Sequence, residues 1–225
     1  MSGNKNFNTD FTPLTVDPDK IYDYSFSIIA EEMGEHNFSE DQWKVVRRVI
    51  HASADFELGR SVMFTPDAIE AGVQSILAGR HVVADVQMIE SGSGRKRFQK
   101  HGGDLHCYIA DPDVWKEAKE QSTTRAVVSM QKAVRENEGG IYAIGNAPTA
   151  LLELIRLIKE GIAKPDLIIG MPVGFVSAAE SKEELAKLEG IPFITNVGRK
   201  GGSTVTVAAL NAISILADER ANGKA

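Results

Sequence analysis

The sequence predicts an α/β fold in which a parallel sheet is covered by helices on both faces, within a single domain. Three observations carry this expectation. Helix-like and strand-like segments alternate from end to end, the strand-like segments 141–144, 167–171 and 191–197 are apolar without alternation, and no linker or repeat divides the chain. A strand that is apolar on both sides needs cover on both sides, as in a parallel sheet between two helix layers.

The elements follow in order. The first twenty residues are polar and read as a loosely attached arm before a domain spanning 21–225. Ser39-Glu40-Asp41-Gln42 has the form of a capping box, with Phe38 and Trp43 spaced as a hydrophobic staple. The helix it opens runs through Val46, Val49 and Ile50 to His51. Thr65-Pro66 reads as the start of a second helix, which passes through Ile69, Val73 and Ile76 and stops near Gly79. A strand over 81–89 follows, then a basic, glycine-containing stretch over 91–100. Asp111-Pro112 leads into a helix containing Trp115, and another helix covers about 124–137 before Gly139-Gly140. Beyond the strand at 141–144, a helix begins at Pro148 and runs to about 159. The strand at 167–171 precedes a second capping box, Ser181-Lys182-Glu183-Glu184, on a helix ending at Gly190. The strand at 191–197 and a long helix over 204–220 close the chain.

Composition narrows the function. Hydrophobic residues make up 43% and charged residues 25% of the 225, the balance of a soluble globular protein. The net charge of −6 and pI near 5.4 speak against nucleic acid as a partner. The lone cysteine, Cys107, excludes an internal disulfide and a Cys-x-x-Cys metal clamp, and suits a reducing compartment, the cytoplasm. No apolar stretch has the length of a signal-peptide core at the start or of a membrane span anywhere.

In parallel sheets the loops at the carboxyl ends of the strands form the ligand crevice. Here they are Gly145-Asn146-Ala147-Pro148, Pro172-Val173-Gly174-Phe175 and Gly198-Arg199-Lys200-Gly201-Gly202-Ser203. Each contains glycine and points at a helix start, where free N–H groups favour anions. The third resembles a phosphate-binding loop, but its lysine precedes the glycine pair and cannot reach phosphates as that motif requires. Ser91-Gly92-Ser93-Gly94-Arg95-Lys96 lacks the third glycine of a dinucleotide fingerprint. His101, His106 and Cys107 do not have a metal-ligand spacing, and no metal is expected. His51 follows Arg47 and Arg48, whose charge discourages its protonation at rest. By residue type alone it reads more readily as a helix C-terminal histidine facing the dipole.

Four strings occur together and in order: Arg48-Val49-Ile50-His51-Ala52-Ser53-Ala54-Asp55, Gly145-Asn146-Ala147-Pro148-Thr149-Ala150-Leu151, Pro172-Val173-Gly174-Phe175-Val176-Ser177-Ala178-Ala179-Glu180-Ser181-Lys182 and Gly198-Arg199-Lys200-Gly201-Gly202-Ser203. With weaker matches at Tyr24-Ser25-Phe26, Asp85-Val86-Gln87-Met88 and Thr124-Arg125, the chain resembles the precorrin-8X methylmutase family from about 21 to 216. Ala52-Ser53 and the polar segment before Ile21 depart from the family's strings without removing a charged group.

The resemblance implies a flavodoxin-like three-layer α/β/α fold, a homodimer, and migration of a methyl from ring carbon 11 to ring carbon 12 of a precorrin. The product is hydrogenobyrinate or its cobalt counterpart. No external methyl donor, net oxidation or cofactor is involved. His51 matches the family's catalytic histidine, and one group that gives and takes back a proton suits the chemistry. The substrate is a flat tetrapyrrole fringed with carboxylates, which an acidic chain must hold with local donors. Arg48, Arg125, Arg199 and Lys200 are the cationic candidates, Ser25 and Asn146 the neutral ones, and Gly174 lies in the second glycine loop. Arg47 reads better as a solvated helix face, and Arg95-Lys96-Arg97 as either a rim contact or a solubility feature. A non-catalytic tetrapyrrole carrier and a nucleotide-dependent transferase are the alternative readings.

Overall fold

The computed structural model describes residues 14–223, which fall into two units, one ending at His36 and one beginning at Asn37. The first unit is built on α1 (Pro18–Met33), whose start is set by Pro18 in the first turn and by Asp17, which accepts from the Asp19 N–H at 3.2 Å. Of the expected arm, residues 1–13 lie outside the described residues, while Pro18, Asp19 and Lys20 form the first turn of this helix.

The second unit holds the sheet. In chain order it runs α2 (Glu40–Ser53), α3 (Phe56–Arg60), β1 (Val62–Phe64), α4 (Ala68–Leu77), β2 (Val82–Ala84), α5 (Gln87–Gly92), α6 (Arg95–Lys100), β3 (Leu105–His106) and α7 (Pro112–Glu120). It continues with α8 (Arg125–Glu136), β4 (Ile141–Ile144), α9 (Pro148–Lys159), β5 (Leu167–Gly170), α10 (Ala178–Ala186), β6 (Phe193–Asn196) and α11 (Ser203–Ala221). The strand order is β1-β6-β5-β4-β2-β3, parallel throughout except for β1, which runs antiparallel along β6. Without β1, the five parallel strands have the flavodoxin-like order 2-1-3-4-5, and the strand order reverses between β2 and β4.

Every position of β4, β5 and β6 is buried, as uninterrupted apolar runs require. α11 packs with α2, α4, α5 and α6, whereas α7, α8, α9 and α10 pack in succession on one another. These are the two helix layers. α11 is sunk deepest, with Ala209, Leu210 and Ile213 wholly enclosed. It is tied to α2 by Lys44 to Glu219 at 3.4 Å and Arg220 to Asp41 at 3.0 Å. No helix among the described residues is long and apolar enough to cross a membrane.

Several elements differ from the sequence expectation. The capping box on α2 forms as predicted, with Ser39 and Gln42 exchanging hydrogen bonds. Ser181 does not cap α10. The helix starts at Ala178, and the Ser181 hydroxyl is buried, donating to the Ala178 carbonyl. Thr65 accepts from the Phe193 N–H at 3.0 Å instead of capping α4, so it secures the β1–β6 edge. The strand expected over 81–89 ends at Ala84, because Asp85 turns towards the loop after β4 and the chain re-enters helix at Gln87. The basic stretch contains α6, and β1, β3 and α3 are too short to leave a periodic signal.

Candidate active site

The loops that leave the carboxyl ends of β4, β5 and β6 meet. The Gly174 N–H donates to the Arg199 carbonyl at 3.2 Å, and the Gly202 N–H to the Met171 carbonyl at 2.8 Å. Gly145 lies so close to the first turn of α11 that a Cβ there would sit 2.9 Å from the Ser203 Cα. Glycine is required at Gly145 because backbone packs on backbone there, and at Gly174 and Gly202 because their φ values of 153° and 123° disfavour any residue with a Cβ.

The first loop differs from the expectation of a free anion cradle. The buried Asp85 carboxylate accepts from the N–H groups of Gly145, Asn146 and Ala147, at 3.1, 2.9 and 2.8 Å. An internal anion therefore occupies the start of α9, at the point where the strand order reverses. Burial raises the Asp85 carboxyl above its ordinary value, and the three N–H donors oppose that shift without cancelling it. The Asn146 side chain remains exposed beside it.

His51 stands exposed in the last turn of α2, whose Val49 and Ile50 are buried, and Arg48 is half-buried one turn before the helix end. The chain then reverses at Ala54, in the left-handed region at φ 51°, and Asp55 caps α3 by accepting from the Leu58 N–H at 2.8 Å. Lys200 reaches across from the loop after β6 and donates to Asp55 at 2.7 Å and Glu57 at 2.8 Å. The Lys200 hydrogen bond is the main cause holding the Asp55 carboxyl below its ordinary value. The Val197 N–H also bonds the Ser61 carbonyl at 3.0 Å. These links place the histidine end of α2 beside the third glycine loop.

The other candidates are distributed as follows. Arg125 opens α8, and its guanidinium lies 4.0 Å above the Trp115 ring. Thr124 before it meets Thr149 of α9 at 3.4 Å, which sets Arg125 near the first loop. Arg199 lies 5.8 Å from the ring of Phe175, which is 86% exposed. Ser25 belongs to the first unit, where its hydroxyl donates to the Ile21 carbonyl at 2.8 Å. The basic stretch is engaged inside the chain: Arg95 pairs with Glu90 and Asp104, and Arg97 and Lys100 with Asp218. His101 also meets Asp218, while His106 stacks edge-on against His81. Among the described residues no group of three or more histidines, cysteines and carboxylates is placed to hold a metal. Burial pushes the Cys107 thiol up to about 11, so it is not a poised nucleophile.

Residues 20–216 match the family model described as precorrin-8X methylmutase. The chain belongs to the precorrin-8X methylmutase family. A cobalt-precorrin-8 methylmutase of Priestia megaterium is 67% identical over 212 residues, covering 94% of this chain and 94% of that protein. A precorrin-8X methylmutase of Sinorhizobium sp is 38% identical over 199 residues, covering 88% of this chain and 94% of that one. The solved precorrin-8X methyl mutase of Thermus thermophilus superposes with a TM-score of 0.82 at 42% identity, over 92% of this chain and 98% of its own.

A member of the methylmutase family is an isomerase of cobalamin biosynthesis. In this methylmutase the three loops and the end of α2 form one continuous rim of exposed donors and apolar side chains. Val173, Phe175, Val176 and Val197 are all exposed on it. A separate cavity, lined by Glu136, Asn137, Gly139, Tyr142 and Lys164, lies by the amino end of β4, away from this rim. Two residues at the rim escaped functional reading from the sequence. Asp85 carried a signal, an isolated acid directly after an apolar strand, but its three partners lie some sixty positions on. Lys182 reads from the sequence only as a member of a capping box and of a family string, and it is 2% exposed.

Proposed function

We propose that this chain converts precorrin-8X or cobalt-precorrin-8 to hydrogenobyrinate or cobyrinate by moving a methyl from ring carbon 11 to ring carbon 12. His51 gives a proton to the conjugated ring, which leaves the π-system electron-poor while the methyl migrates, and takes it back afterwards. Atoms balance within the substrate, so neither a methyl donor nor a redox partner enters. Arg48, Arg125 and Arg199 pair with the carboxylates around the ring, with Asn146 as a neutral donor. Gly174 lets the main chain approach the ligand. Lys200 braces α2 through Asp55 as well as adding positive charge. The enzyme acts as a homodimer in the cytoplasm.

The observation that supports this reading best is the bracing of the α2 end, with His51 and Arg48, against the loop after β6 by Lys200 and Asp55. A wide, flat ligand needs a broad rim of this kind, and catalysis by one proton needs one positioned base. The test is incubation of the purified chain with precorrin-8X and, separately, with its cobalt form, followed by absorption spectroscopy. The wild type is expected to convert at least one. His51→Ala is expected to lose roughly 10²–10⁴-fold in rate while still binding the ring. Near-normal turnover by that variant would remove the role given to His51, and no conversion of either ring by the wild type would remove the substrate assignment.

A further inference from the structure

The Lys182 side chain is enclosed, 2% exposed, beneath the loop that follows β6. Its ammonium donates to the Lys200 carbonyl at 2.6 Å and faces the Asn196 side-chain oxygen at 3.4 Å. Asn196 in turn donates to the same Lys200 carbonyl at 2.8 Å. Both acceptors are neutral. The charged groups of the surrounding elements are committed elsewhere. On α9, Lys159 pairs with Glu184 and Arg156 with Glu153 and Glu160. β6 carries no charged residue, and on the loop above, Lys200 pairs with Asp55 and Glu57 while Arg199 faces Phe175. On α10 itself Glu180 and Glu183 are exposed, and Glu184 also takes Lys187.

A buried cation held only by neutral acceptors is costly, because desolvation is not offset by an opposite charge. Here the cost falls directly under a loop that, on the reading above, receives a ligand bearing many carboxylates. We propose that Lys182 is a binding determinant for that polycarboxylate: it positions the Lys200 carbonyl and supplies, from beneath the loop, a positive charge that the bound ligand compensates. It is a positioning and electrostatic residue and does not touch the ring. This inference rests on the proposed function, since it assigns a group to the same ligand.

The proposal has a linkage consequence. In the free protein desolvation draws the Lys182 ammonium down to about 8. A bound polyanion favours the charged form and raises that value. Binding above pH 8 is therefore accompanied by proton uptake, and affinity falls with rising pH by up to about tenfold per unit until the bound-state value is reached.

The experiment is calorimetric titration of the full chain with cobyrinic acid between pH 7 and 9.5, in buffers of different ionisation enthalpy. The wild type is expected to take up a fraction of a proton at pH 8.5, at most about three quarters of one. Lys182→Met, which keeps the length of the side chain without its charge, is expected to bind more weakly at pH 7 and to take up none. Uptake that persists in Lys182→Met overturns the proposal. The side-chain resonances of Lys182 in the wild type give a second measurement that does not depend on the variant folding. Their midpoint is expected near 8 without ligand and higher with it. An ordinary midpoint near 10.4 in the free protein, or no rise on binding, also overturns it. A depressed midpoint together with no binding of cobyrinic acid at any pH would instead count against the proposed function.

Discussion

Asp85 does inside the chain what a bound anion does at many helix starts: it satisfies the N–H groups of Gly145, Asn146 and Ala147 with one carboxylate. Removing it leaves those donors without an acceptor, at about 1–3 kcal/mol for each one that water cannot reach. Asp85→Ala is therefore expected to lose several kcal/mol of stability in urea unfolding, and Asp85→Asn less, since its amide oxygen still accepts. A loss under about 1 kcal/mol for the alanine variant would mean that water replaces the carboxylate. The arginines are tested by binding, since the proposed ligand carries carboxylates. Arg48→Ala and Arg125→Ala should each weaken binding of a corrin-type polycarboxylate by about 1.5–3 kcal/mol. Lysine should rescue only in part, since it lacks the two-pronged guanidinium. For Arg125 the stack on the exposed Trp115 adds about 0.5–1 kcal/mol of stability, read separately in unfolding. Unchanged ligand titrations for both alanine variants would exclude them from the site.

At the scale of elements, short pieces are held by long ones. α6 has six residues and no side-chain cap, too little to persist alone. It is clasped to α11 through Asp218, which accepts from Lys100 at 2.7 Å and faces His101 at 3.1 Å and Arg97 at 3.7 Å. Burial raises the Asp218 carboxyl, but the hydrogen bonds from Lys100 and His101 outweigh it and hold the group below its ordinary value. A folded value below the unfolded one contributes stability above the ordinary carboxylate range and loses it as pH falls through the folded value. Wild type should therefore exceed Asp218→Asn in stability at neutral pH, and the gap should close below about pH 4. Denaturation midpoints at pH 7, 5 and 3 measure it, and a gap that is constant across them would mean that the clasp is not ionic. Two other elements show why local signals misled. Ser181 has the spacing of a cap but is interior to α10, since burying Ser181, Lys182 and Leu185 requires the helix to start earlier. The strand expected over 81–89 is cut short because Asp85 is needed at the end of β2, where its partners are.

The whole molecule is acidic, with a net charge of −6, yet three of its arginines stand around the carboxyl ends of the strands. Local concentration of charge lets an acidic chain hold an acidic ligand, and the interaction should weaken with salt where the pairs face solvent. The same end of the sheet exposes Phe175, Val176 and Val197, at 86%, 82% and 60%. Exposed apolar side chains around a ligand rim favour cover by the ring or by a second copy. If the proposed homodimer forms, the protein is expected to sediment at twice the 24.4 kDa of the chain. A monomer that converts substrate would remove the dimer while leaving the isomerase reading intact.

By itself the sequence determined the parallel centre of the sheet, since uninterrupted apolar strands separated by helices need cover on both faces, and β4, β5 and β6 lie where their apolar runs do, whereas the antiparallel β1 was not legible. It also determined the family, because four motifs in order leave little freedom, and it marked His51, Arg48 and the three glycine loops as the residues to watch. Only the tertiary structure decided which polar groups are spent on the fold. Asp85 meets N–H groups from another strand's loop, Lys200 meets Asp55 and Glu57 about 145 positions away, and Lys182 is enclosed under a carbonyl on a neighbouring loop. The physical reason is range. Periodicity and capping report neighbours a few residues apart, while the partner of a buried charge is set by chain folding across the sheet and leaves no local trace.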